Sequence, residues 1–501
     1  MVSEQLQQAR DFESRYLPFI PEEERPAFHV TGGIGWINDP NGFSAYKGEY
    51  HLFFQYHPYS TKWGPMHWGH VKTGDFIRWE RLPIALAPDT EYDKGGCFSG
   101  SAVELPDGRH LLLYTGVHRV RREDGVMEEF QTQCVAVGDG VNYEKYAGNP
   151  VLDAKDVPEG NSALDFRDPK IWREADGTYR CVVGNRAADG SGAILLFRSG
   201  DGFTWEFAGV VDSCRNEYGR MWECPDFFPL DGTQVLLVSP QEMTALGMEF
   251  HAGYGALCLL GSWENERFTR ERVQSLDYGI DFYAAQSVET LDGRRIMIAW
   301  MQNWTNSNCQ PQGVRCYGEM TLPRELSVRD GRLIQNPVRE LERYHGRRVT
   351  YRDVLLTSET NLQGVSGRIL DMTVTVRPAW ETGYRWFKVN VAKDGEHVTT
   401  IRYKPECSTL RVDRTRCGFP YDIVHVRDFL VRQQGGAIKL RLVMDRHSLE
   451  VFVNDGEQAA TFVLYTPKSA ASISFEADGG AVLLDVEKFD LEFDQGGDRN
   501  E

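Results

Sequence analysis

The sequence predicts an all-β protein, with a five-bladed β-propeller followed by a C-terminal β-sandwich. Two observations predict this fold. A hairpin signal recurs five times in the first two thirds of the chain, and alternating strand-like runs fill the last third. We place an N-terminal helical extension at 1–26, the propeller at 27–335, a linker at 336–354 and the sandwich at 355–494.

The N-terminal extension begins "MVSEQLQQARDFESRYLP", which is polar and helix-like and lacks the apolar stretch of a signal peptide. The sequence also has no run of about 18 apolar residues, the length that spans a bilayer. Its ten cysteines are scattered and form no CxxC pair, so we interpret them as reduced thiols. Together these features predict a cytoplasmic protein.

The propeller prediction depends on five glycines, four of which follow an aspartate and all of which precede an apolar run: Gly48, Gly108, Gly177, Gly232 and Gly293. Asp-Gly before such a run is a strong hairpin signal. The glycines lie 55 to 69 residues apart, which is too irregular for a short-motif repeat but suits a unit of about four strands with variable outer loops. Five such units predict five blades.

Counting back nine residues from each glycine gives one position in each hairpin: Asp39, Ser99, Asp168, Glu223 and Ala284. If every hairpin has a two-residue turn, the residues beside them on the second strand are Gln55, Thr115, Gly184, Ser239 and Trp300. If the first strand of each hairpin lines the central channel, the three acids converge at one mouth of that channel.

Each of these acids lies close to a proline, in "WINDPNG", "DFRDPKIW" and "MWECPDFF". Turn chemistry alone explains any one of these motifs. Three converging acids would repel one another, however, whereas a shared acidic pocket is useful when one carboxyl group must stay protonated and another charged. Proline would hold the neighbouring acid in an extended backbone and so fix the direction of its carboxylate.

Beyond residue 335 the pattern changes. "RLIQNPVRELERYHGRR" is typical of a linker, partly helical, and the runs "LDMTVTV", "FKVNV", "IKLRLVM", "LEVFV" and "SISFEA" indicate an antiparallel sandwich. These residues carry no evident chemistry, so we expect a structural or oligomerisation module.

The charge limits the range of partners. The 55 basic and 73 acidic side chains give a net charge of -18, which repels phosphate backbones and anionic lipids. We therefore expect a small neutral molecule as the partner, and neither nucleic acid nor a membrane. The oligomeric state stays open, with a homo-oligomer as one alternative.

The motifs "WINDPNG", "FFQYHP", "WGPMHWGH", "FSGS", "FRDP", "ECPD" and "DFYAAQ", followed by "DRHSLEVFVNDGE", resemble glycoside hydrolase family 32 over almost the whole chain. This family contains invertases and fructan hydrolases. The resemblance implies a five-bladed propeller, a β-sandwich, and hydrolysis of terminal β-fructofuranosides such as sucrose and short fructo-oligosaccharides with retention of configuration. It implies no cofactor and no metal.

The resemblance also implies roles for the three acids. Asp39 would be the nucleophile, Glu223 the general acid/base and Asp168 the stabiliser of the transition state. Retention requires one ionised and one protonated carboxyl group about 5 to 5.5 Å apart. Glu223, flanked by Trp222 and Cys224, is the expected protonated partner, and Arg167 is expected to help keep Asp168 charged.

A second set of residues resembles the fructose-binding residues of the family: Asn38, Gln55, Trp63, Phe98, Ser99, Arg167 and Trp300. Polar groups of these kinds suit sugar hydroxyls, and aromatic faces suit the apolar patches of a sugar. For Trp63 and Phe98 the alternative is packing in the core. Trp304 competes with Trp300 for the same role.

Two further features have alternative interpretations. The histidines of "QYHPYSTKWGPMHWGH", namely His57, His67 and His70, lack the partners of a recognisable zinc site, so we expect no metal there. The segment "HRVRRED" carries His118, Arg119, Arg121 and Arg122, which could contact the phosphate of sucrose 6-phosphate. The alternative is a solvated loop whose charge is balanced by its own acids.

A fructan exohydrolase, which would act on longer chains, is an alternative within fructoside hydrolysis. Three rival functions stay open beside hydrolysis of fructosides. A fructosyltransferase would pass the same intermediate to a sugar instead of water. An arabinan or xylan hydrolase with five blades would have more widely separated carboxyl groups if it inverted configuration. A propeller that binds fructosides without catalysis belongs to a different class, and the three intact acids argue against it.

Overall fold

The computed structural model describes residues 2–121 and 124–493, and these are mostly β-strands. The chain divides into two compact units. The first consists of Met1–Glu24, Val30–Leu276 and Phe282–Leu333, and the second of Arg25–His29, Asp277–Asp281 and Ile334–Glu501. None of the helices within the described ranges combines the length and the apolar surface that crossing a bilayer requires.

The main helix, α1, spans Glu4–Tyr16 near the N-terminus. It begins after Ser3, whose Oγ accepts a hydrogen bond from the backbone N–H of Leu6 at 3.1 Å, so the first turn has the N-cap that its free N–H groups require. Short 3-10 helices follow at Leu17–Phe19, Glu22–Glu24, Ala154–Asp156 and Arg339–Tyr344.

Strands of the first unit form five sheets within the described residues. The first contains β1 (Gly35–Tyr46), β2 (Glu49–His57), β3 (His67–Thr73) and β4 (Glu80–Leu86). The second contains β5 (Gly96–Glu104), β6 (His110–Arg121), β7 (Met127–Gly138) and β8 (Tyr143–Lys145). The third contains β9 (Asn161–Arg173), β10 (Tyr179–Ala187), β11 (Gly192–Ser199) and β12 (Trp205–Ser213).

The fourth sheet contains β13 (Met221–Leu230), β14 (Thr233–Gln241), β15 (Leu257–Glu264) and β16 (Arg267–Ser275). The remaining strands are β17 (Tyr283–Glu289), β18 (Arg295–Trp300), β19 (Cys316–Tyr317), β20 (Arg324–Arg329) and β21 (Arg332–Pro337). Of these, β19 pairs with β1 in parallel, and the other four form the fifth sheet. The first strands β1, β5, β9, β13 and β17 each contact the next, and β17 also contacts β1.

Each first strand has a break in its pairing with the second strand. The breaks lie between Ile37 and Pro40, Phe98 and Gly100, Arg167 and Lys170, Glu223 and Asp226, and Tyr283 and Gln286. Such β-bulges bend a strand and redirect its side chains, and they are common beside active sites. The five bulges therefore fall at the positions that the sequence singles out.

The bulges correct one expectation about the acids. Ser239 and Gly184 hold the same place on the second strands of their hairpins. Glu223 pairs with Ser239, and Arg167 pairs with Gly184. Glu223 is therefore equivalent to Arg167 and not to Asp168. The prediction of one shared position is wrong by one residue because the turns differ in length. Leu230 pairs with Thr233 across a two-residue turn, whereas β9 and β10 are joined by the five-residue segment 174–178.

The second unit contains two antiparallel sheets. Its strands are β22 (His345–Leu356), β23 (Leu370–Pro378), β24 (Trp386–Lys393), β25 (Val398–Lys404), β26 (Thr409–Arg416), β27 (Val426–Leu430), β28 (Ile438–Asp445), β29 (Ser448–Val453), β30 (Gln458–Val463), β31 (Ser472–Asp478) and β32 (Val482–Leu491). The sheets have the orders β22-β32-β23-β28-β29-β30 and β27-β26-β25-β24-β31.

The segment 336–354, which the sequence predicts as a linker, includes a 3-10 helix and most of β22. This strand lies at the edge of its sheet and pairs with β32 alone. Its side chains are half-buried or exposed up to Leu355, so the run of charged residues that is typical of a linker is equally suited to an edge strand.

A buried histidine stabilises the second unit. The Nδ1 atom of His29 lies 2.9 Å from Oδ2 of Asp445, and its Nε2 atom lies 3.0 Å from Oε1 of Glu450. Burial opposes the charged imidazolium, but the hydrogen bonds and charges of the two carboxylates outweigh that effect and raise the pKa of His29 to about 10.

Candidate active site

The first unit contains a cavity of about 500 Å³ where the bulged strands meet. The described residues that line it are Asn38, Asp39, Gln55, Trp63, Phe98, Ser99, Glu129, Gln131, Asp165, Arg167, Asp168, Glu223, Gln241, Tyr254, Trp304, Ser307 and Asn308. The structure therefore brings together the three predicted acids and every predicted binding residue except Trp300.

Asp39 is held by hydrogen bonds from two side chains. The Oγ of Ser99 donates to Oδ2 of Asp39 at 2.7 Å, and the Nδ2 of Asn38 donates to Oδ1 at 3.0 Å. The amide of Asn38 is itself oriented by Nε1 of Trp36, which donates to its Oδ1 at 2.8 Å. Burial raises the pKa of Asp39, the two hydrogen bonds oppose that effect, and the charge of Glu223 adds to it.

Asp168 has a left-handed backbone, with φ of 65°, so the extended backbone predicted for the acid before Pro169 is wrong. Two contacts hold Asp168 in this conformation. Its N–H donates to Oγ1 of Thr115 at 2.9 Å, and its Oδ2 accepts from the N–H of Cys224 at 2.9 Å. Burial, followed by the charge of Glu223, raises the pKa of Asp168 to about 7, although the charge of Arg167 lowers it. The Sγ of Cys224 lies 3.6 Å from Oδ2 of both Asp39 and Asp168, so these two acids flank one thiol.

Glu223 is held at both carboxyl oxygens. The Nε of Arg167 donates to Oε1 at 3.0 Å, and the hydroxyl of Tyr283 lies 2.6 Å from Oε2. Arg167 also donates to Gln131 and Asp165, each at 3.1 Å. The guanidinium thus turns toward the site, as expected, but its hydrogen bond joins Glu223 and it acts on Asp168 through its charge.

The hydroxyl group of Tyr283 lies between Glu223 and Ser239. Its single hydroxyl proton faces two acceptors, Oε2 of Glu223 and the carbonyl oxygen of Ser239, the latter at 2.9 Å. If Glu223 carries a proton on Oε2, it donates to Tyr283 and Tyr283 donates to Ser239, so every group has a partner. In that form Glu223 can supply a proton to a bound molecule next to Asp39, whose carboxyl group is held by two donors.

The predicted aromatic contacts divide into two groups. Trp63 is 40% exposed and meets Phe98 edge-on, with ring centroids 6.0 Å apart, and both line the cavity. Trp300 is fully buried and does not line it. Trp304 lies there instead, with its ring centroid 5.0 Å from that of Trp300, so the contact predicted for Trp300 is corrected to Trp304.

Several lining residues were not predicted, because they lie outside the first strands of the hairpins. Glu129 and Gln131 lie on β7, Gln241 ends β14, and Tyr254, Ser307 and Asn308 lie in loops. No repeated pattern marks these positions. Tyr283 could have been found, because a count corrected for turn length aligns it with Arg167 and Glu223.

The described residues of the basic segment, His118, Arg119 and Arg121, do not line the cavity. The Nη2 of Arg119 lies 3.1 Å from Oε2 of Glu129, and the ring of His118 stacks on Phe130. Arg121 ends β6 and is exposed, while Arg122 lies outside the described residues. The acid opposite Arg119, and not a ligand, therefore balances its charge.

The three predicted histidines have protein partners. The Nε2 of His70 lies 2.9 Å from Nδ1 of His51, and the Nδ1 atoms of His57 and His67 lie 3.3 and 3.2 Å from the carbonyl oxygen of Pro65. Across residues 2–121 and 124–493, no group of three histidine, cysteine or acidic side chains is arranged to hold a metal ion. The ten cysteines are free thiols.

Comparison with known proteins identifies the family. The model for the "Glycosyl hydrolases family 32 N-terminal domain" matches residues 29–337, and the model for the family 32 C-terminal region matches residues 340–492. A sucrose-6-phosphate hydrolase of Zymomonas mobilis is 38% identical over 87% of this chain and 85% of its own length. A raffinose invertase of Escherichia coli is 37% identical over 92% of this chain and 94% of its own length.

Solved structures agree with these matches. A mutant of the Bombyx mori GH32 β-fructofuranosidase in complex with sucrose has a TM-score of 0.82 and 32% identity, and the alignment covers 97% of this chain and 98% of that one. A sucrose-6-phosphate hydrolase from Lactobacillus gasseri also has a TM-score of 0.82, with 26% identity over 97% of this chain and 96% of that one. The chain therefore belongs to glycosyl hydrolase family 32.

Proposed function

We propose that this enzyme is a β-fructofuranosidase that releases terminal β-D-fructofuranosyl residues from sucrose and short fructo-oligosaccharides. One observation carries the proposal. Three carboxyl groups, those of buried Asp39 and Asp168 and half-buried Glu223, lie in one cavity of about 500 Å³, and each is held by hydrogen bonds from the protein. A cavity of this size accommodates a disaccharide.

The reaction proceeds by double displacement. Asp39 attacks the anomeric carbon, the bond to the leaving oxygen breaks, and Glu223 transfers its proton to that oxygen. Asp168 stabilises the positive charge that develops on the fructosyl ring. In the second step Glu223 accepts a proton from water, the water oxygen bonds to the anomeric carbon, and the ester to Asp39 breaks, so configuration is retained.

The charge of the cavity favours neutral sucrose over its 6-phosphate. Among the described lining residues there are five carboxyl groups and a single guanidinium, that of Arg167. Arg167 already donates to two of these carboxyl groups, those of Asp165 and Glu223. A phosphate dianion would enter a negative field in which the one guanidinium of the described lining is already committed to carboxyl groups. The sucrose-6-phosphate hydrolases among the relatives keep the phosphorylated sugar as the alternative substrate.

The sheets of the two units support an assignment of domains. We assign the five sheets of the first unit to the blades of a propeller, because their first strands contact one another in a closed cycle. We assign the two antiparallel sheets of the second unit to a sandwich. The catalytic domain is then 27–335, and the accessory sandwich begins at β22, earlier than residue 355.

Trapping the intermediate tests the mechanism. Glu223→Gln enzyme, given a fructofuranoside whose leaving group needs no proton, should form the Asp39 ester and hydrolyse it slowly. After an acid quench, peptide mass mapping should find one anhydrofructose unit on the peptide that contains Asp39. The double variant Asp39→Ala with Glu223→Gln is the control and should carry no label. A label on any other residue would refute the assignment.

A further inference from the structure

A closed ring of hydrogen bonds lies behind the catalytic acids. The N–H of Cys224 donates to Oδ2 of Asp168 at 2.9 Å, and the carbonyl oxygen of Cys224 accepts from Nε2 of Gln286 at 3.3 Å. The Oε1 of Gln286 in turn accepts from Nζ of Lys170 at 3.1 Å. Lys170 follows Asp168 by two residues on β9, which closes the ring.

Lys170 anchors this ring on three strands. Besides Gln286, its ammonium group donates to Oδ2 of Asp226 at 3.2 Å and to the carbonyl oxygen of Ser287 at 2.7 Å. An ammonium group has three donors, so all three are used, and they join β9 to β13 and β17. Lys170 is buried and does not line the cavity, so it does not touch the sugar.

The ring holds two residues in an unfavourable backbone conformation. Asp168 has φ of 65° and Cys224 has φ of 48°, both in the left-handed region. Residues other than glycine stay in this region only when surrounding contacts hold them there. The N–H and the carbonyl group of Cys224 belong to the peptide units on either side of its Cα, and the ring binds both. The ring therefore fixes the backbone between Glu223 and the N–H group of Cys224, which donates to Asp168.

We propose that Lys170 and Gln286 are positioning residues for the hydrolysis of fructosides, acting through the peptide units of Cys224 on both Asp168 and Glu223. This inference rests on the proposed function for the identity of the reaction. Without the ring, Cys224 relaxes from its left-handed conformation and its N–H turns away from Asp168. The side chains that line the fructosyl pocket, such as Asn38 and Trp63, keep their own contacts.

Two variants break the ring at different points. Gln286→Glu keeps an acceptor for Lys170 but loses the amide donor to Cys224, and Lys170→Met removes the anchor. The matched control is Lys145→Met, the same substitution at another largely buried lysine of the first unit. Lys145 donates to the carbonyl oxygen of Ala87 at 2.7 Å and pairs with Asp89 and Asp93, and none of these four residues is among the described residues that line the cavity.

Steady-state kinetics on sucrose, normalised to folded enzyme, are the readout. Both ring variants should lower kcat about 10- to 100-fold, because small displacements of catalytic groups cost that much. KM should change less than about threefold, because ground-state contacts to the sugar survive. The acidic limb of the kcat profile should move to higher pH, since the lost N–H donor raises the pKa of Asp168. Lys145→Met should lower Tm and leave kcat and the acidic limb unchanged.

Each outcome decides the inference. If Lys170→Met does not fold, Gln286→Glu alone carries the test. Unchanged kcat and acidic limb in folded Gln286→Glu enzyme would overturn the proposal, as would an equal loss of kcat in Lys145→Met. Failure of the proposed function looks different, because the wild-type enzyme itself would then fail to hydrolyse fructosides.

Discussion

The hydroxyl group of Tyr283 lies between Oε2 of Glu223, at 2.6 Å, and the carbonyl oxygen of Ser239, at 2.9 Å. A carbonyl oxygen can only accept, so the Tyr283 hydroxyl donates its proton to Ser239. The contact with Glu223 is then a second full hydrogen bond if Glu223 carries the proton between the two oxygens. Tyr283 is thus placed to exchange a hydrogen bond with Glu223 when that residue gains or loses a proton. The same hydroxyl also joins the fifth sheet to the fourth at the level of the catalytic acids.

Tyr283→Phe removes this partner from the acid. We expect kcat for sucrose to fall about 10-fold, whereas turnover of a fructofuranoside whose leaving group needs no proton should change less. Comparing kcat on the two substrates measures the difference. Tyr56→Phe is the matched control, because the hydroxyl of Tyr56 donates to Oε1 of Glu13 at 2.8 Å, away from the cavity. Equal losses on both substrates would contradict an effect on proton transfer.

Asp39→Ala and Glu223→Gln should each abolish nearly all turnover of sucrose while leaving the fold intact. We expect kcat to fall by at least about 1,000-fold in each, since residues of this kind act as a unit. Sucrose hydrolysis and thermal unfolding, measured on the same preparations, check both parts. Ordinary activity in either variant would remove its assigned role.

Asp168→Asn should stabilise the protein in a pH-dependent way. The pKa of Asp168 is raised by burial to about 7, so folding disfavours its ionised form. This penalty is absent at pH values below the unfolded pKa of about 3.9, grows as the pH rises to about 7, and then stays constant. We expect the variant's gain in the free energy of unfolding to reach the order of 4 kcal/mol at pH 8, because the two pKa values differ by about three units. Urea unfolding at pH 5 and pH 8 measures it, and a gain that is larger at pH 5 would contradict the prediction.

His29→Gln should show the opposite dependence on pH. The pKa of His29 is raised to about 10 by Asp445 and Glu450 against the effect of burial, so its charged form stabilises the fold. That contribution is fully present below the unfolded pKa of about 6.5 and is lost as the pH rises through 10. The difference in unfolding free energy between wild type and variant should therefore be constant up to about pH 6.5 and shrink toward pH 10. A difference that grows with pH would show that the histidine is neutral in the folded protein.

Sucrose should be a better substrate than sucrose 6-phosphate. We expect kcat/KM for sucrose to exceed that for the phosphate by about 10-fold or more, because a phosphate dianion meets the acidic cavity lining. Arg119→Ala should leave this ratio unchanged, because Arg119 pairs with Glu129. A preference for the phosphate that Arg119→Ala abolishes would instead support the basic segment as a phosphate site.

The sequence predicts which three acids meet in the cavity because they follow a local rule. Asp39 and Asp168 each lie nine residues before a hairpin glycine, and a proline follows both. Glu223 is displaced by one residue in the alignment because turn length, which the count assumed constant, varies between hairpins. Local patterns therefore identify which acids converge but not their register.

The rest of the site depends on packing between segments that are distant in the sequence. Gln131 and Tyr254 enter the cavity from a third strand and a loop, where no repeat marks them. Whether Trp300 or Trp304 lines the cavity depends on which of the two contacting rings is buried beneath the other. Only the packing of the folded core determines that. Loop conformation and side-chain burial are the parts that a single sequence does not specify.

The presence of Trp304, instead of Trp300, on the cavity wall has a practical consequence. Trp304 lies on the wall, with its ring centroid 5.0 Å from that of Trp300 and 6.4 Å from that of Trp36, so three indoles form one cluster. A sugar that covers Trp304 changes the polarity around its indole and hence its emission. The affinity of inactive variants for a sugar can therefore be measured by intrinsic tryptophan fluorescence, without labels or a coupled assay.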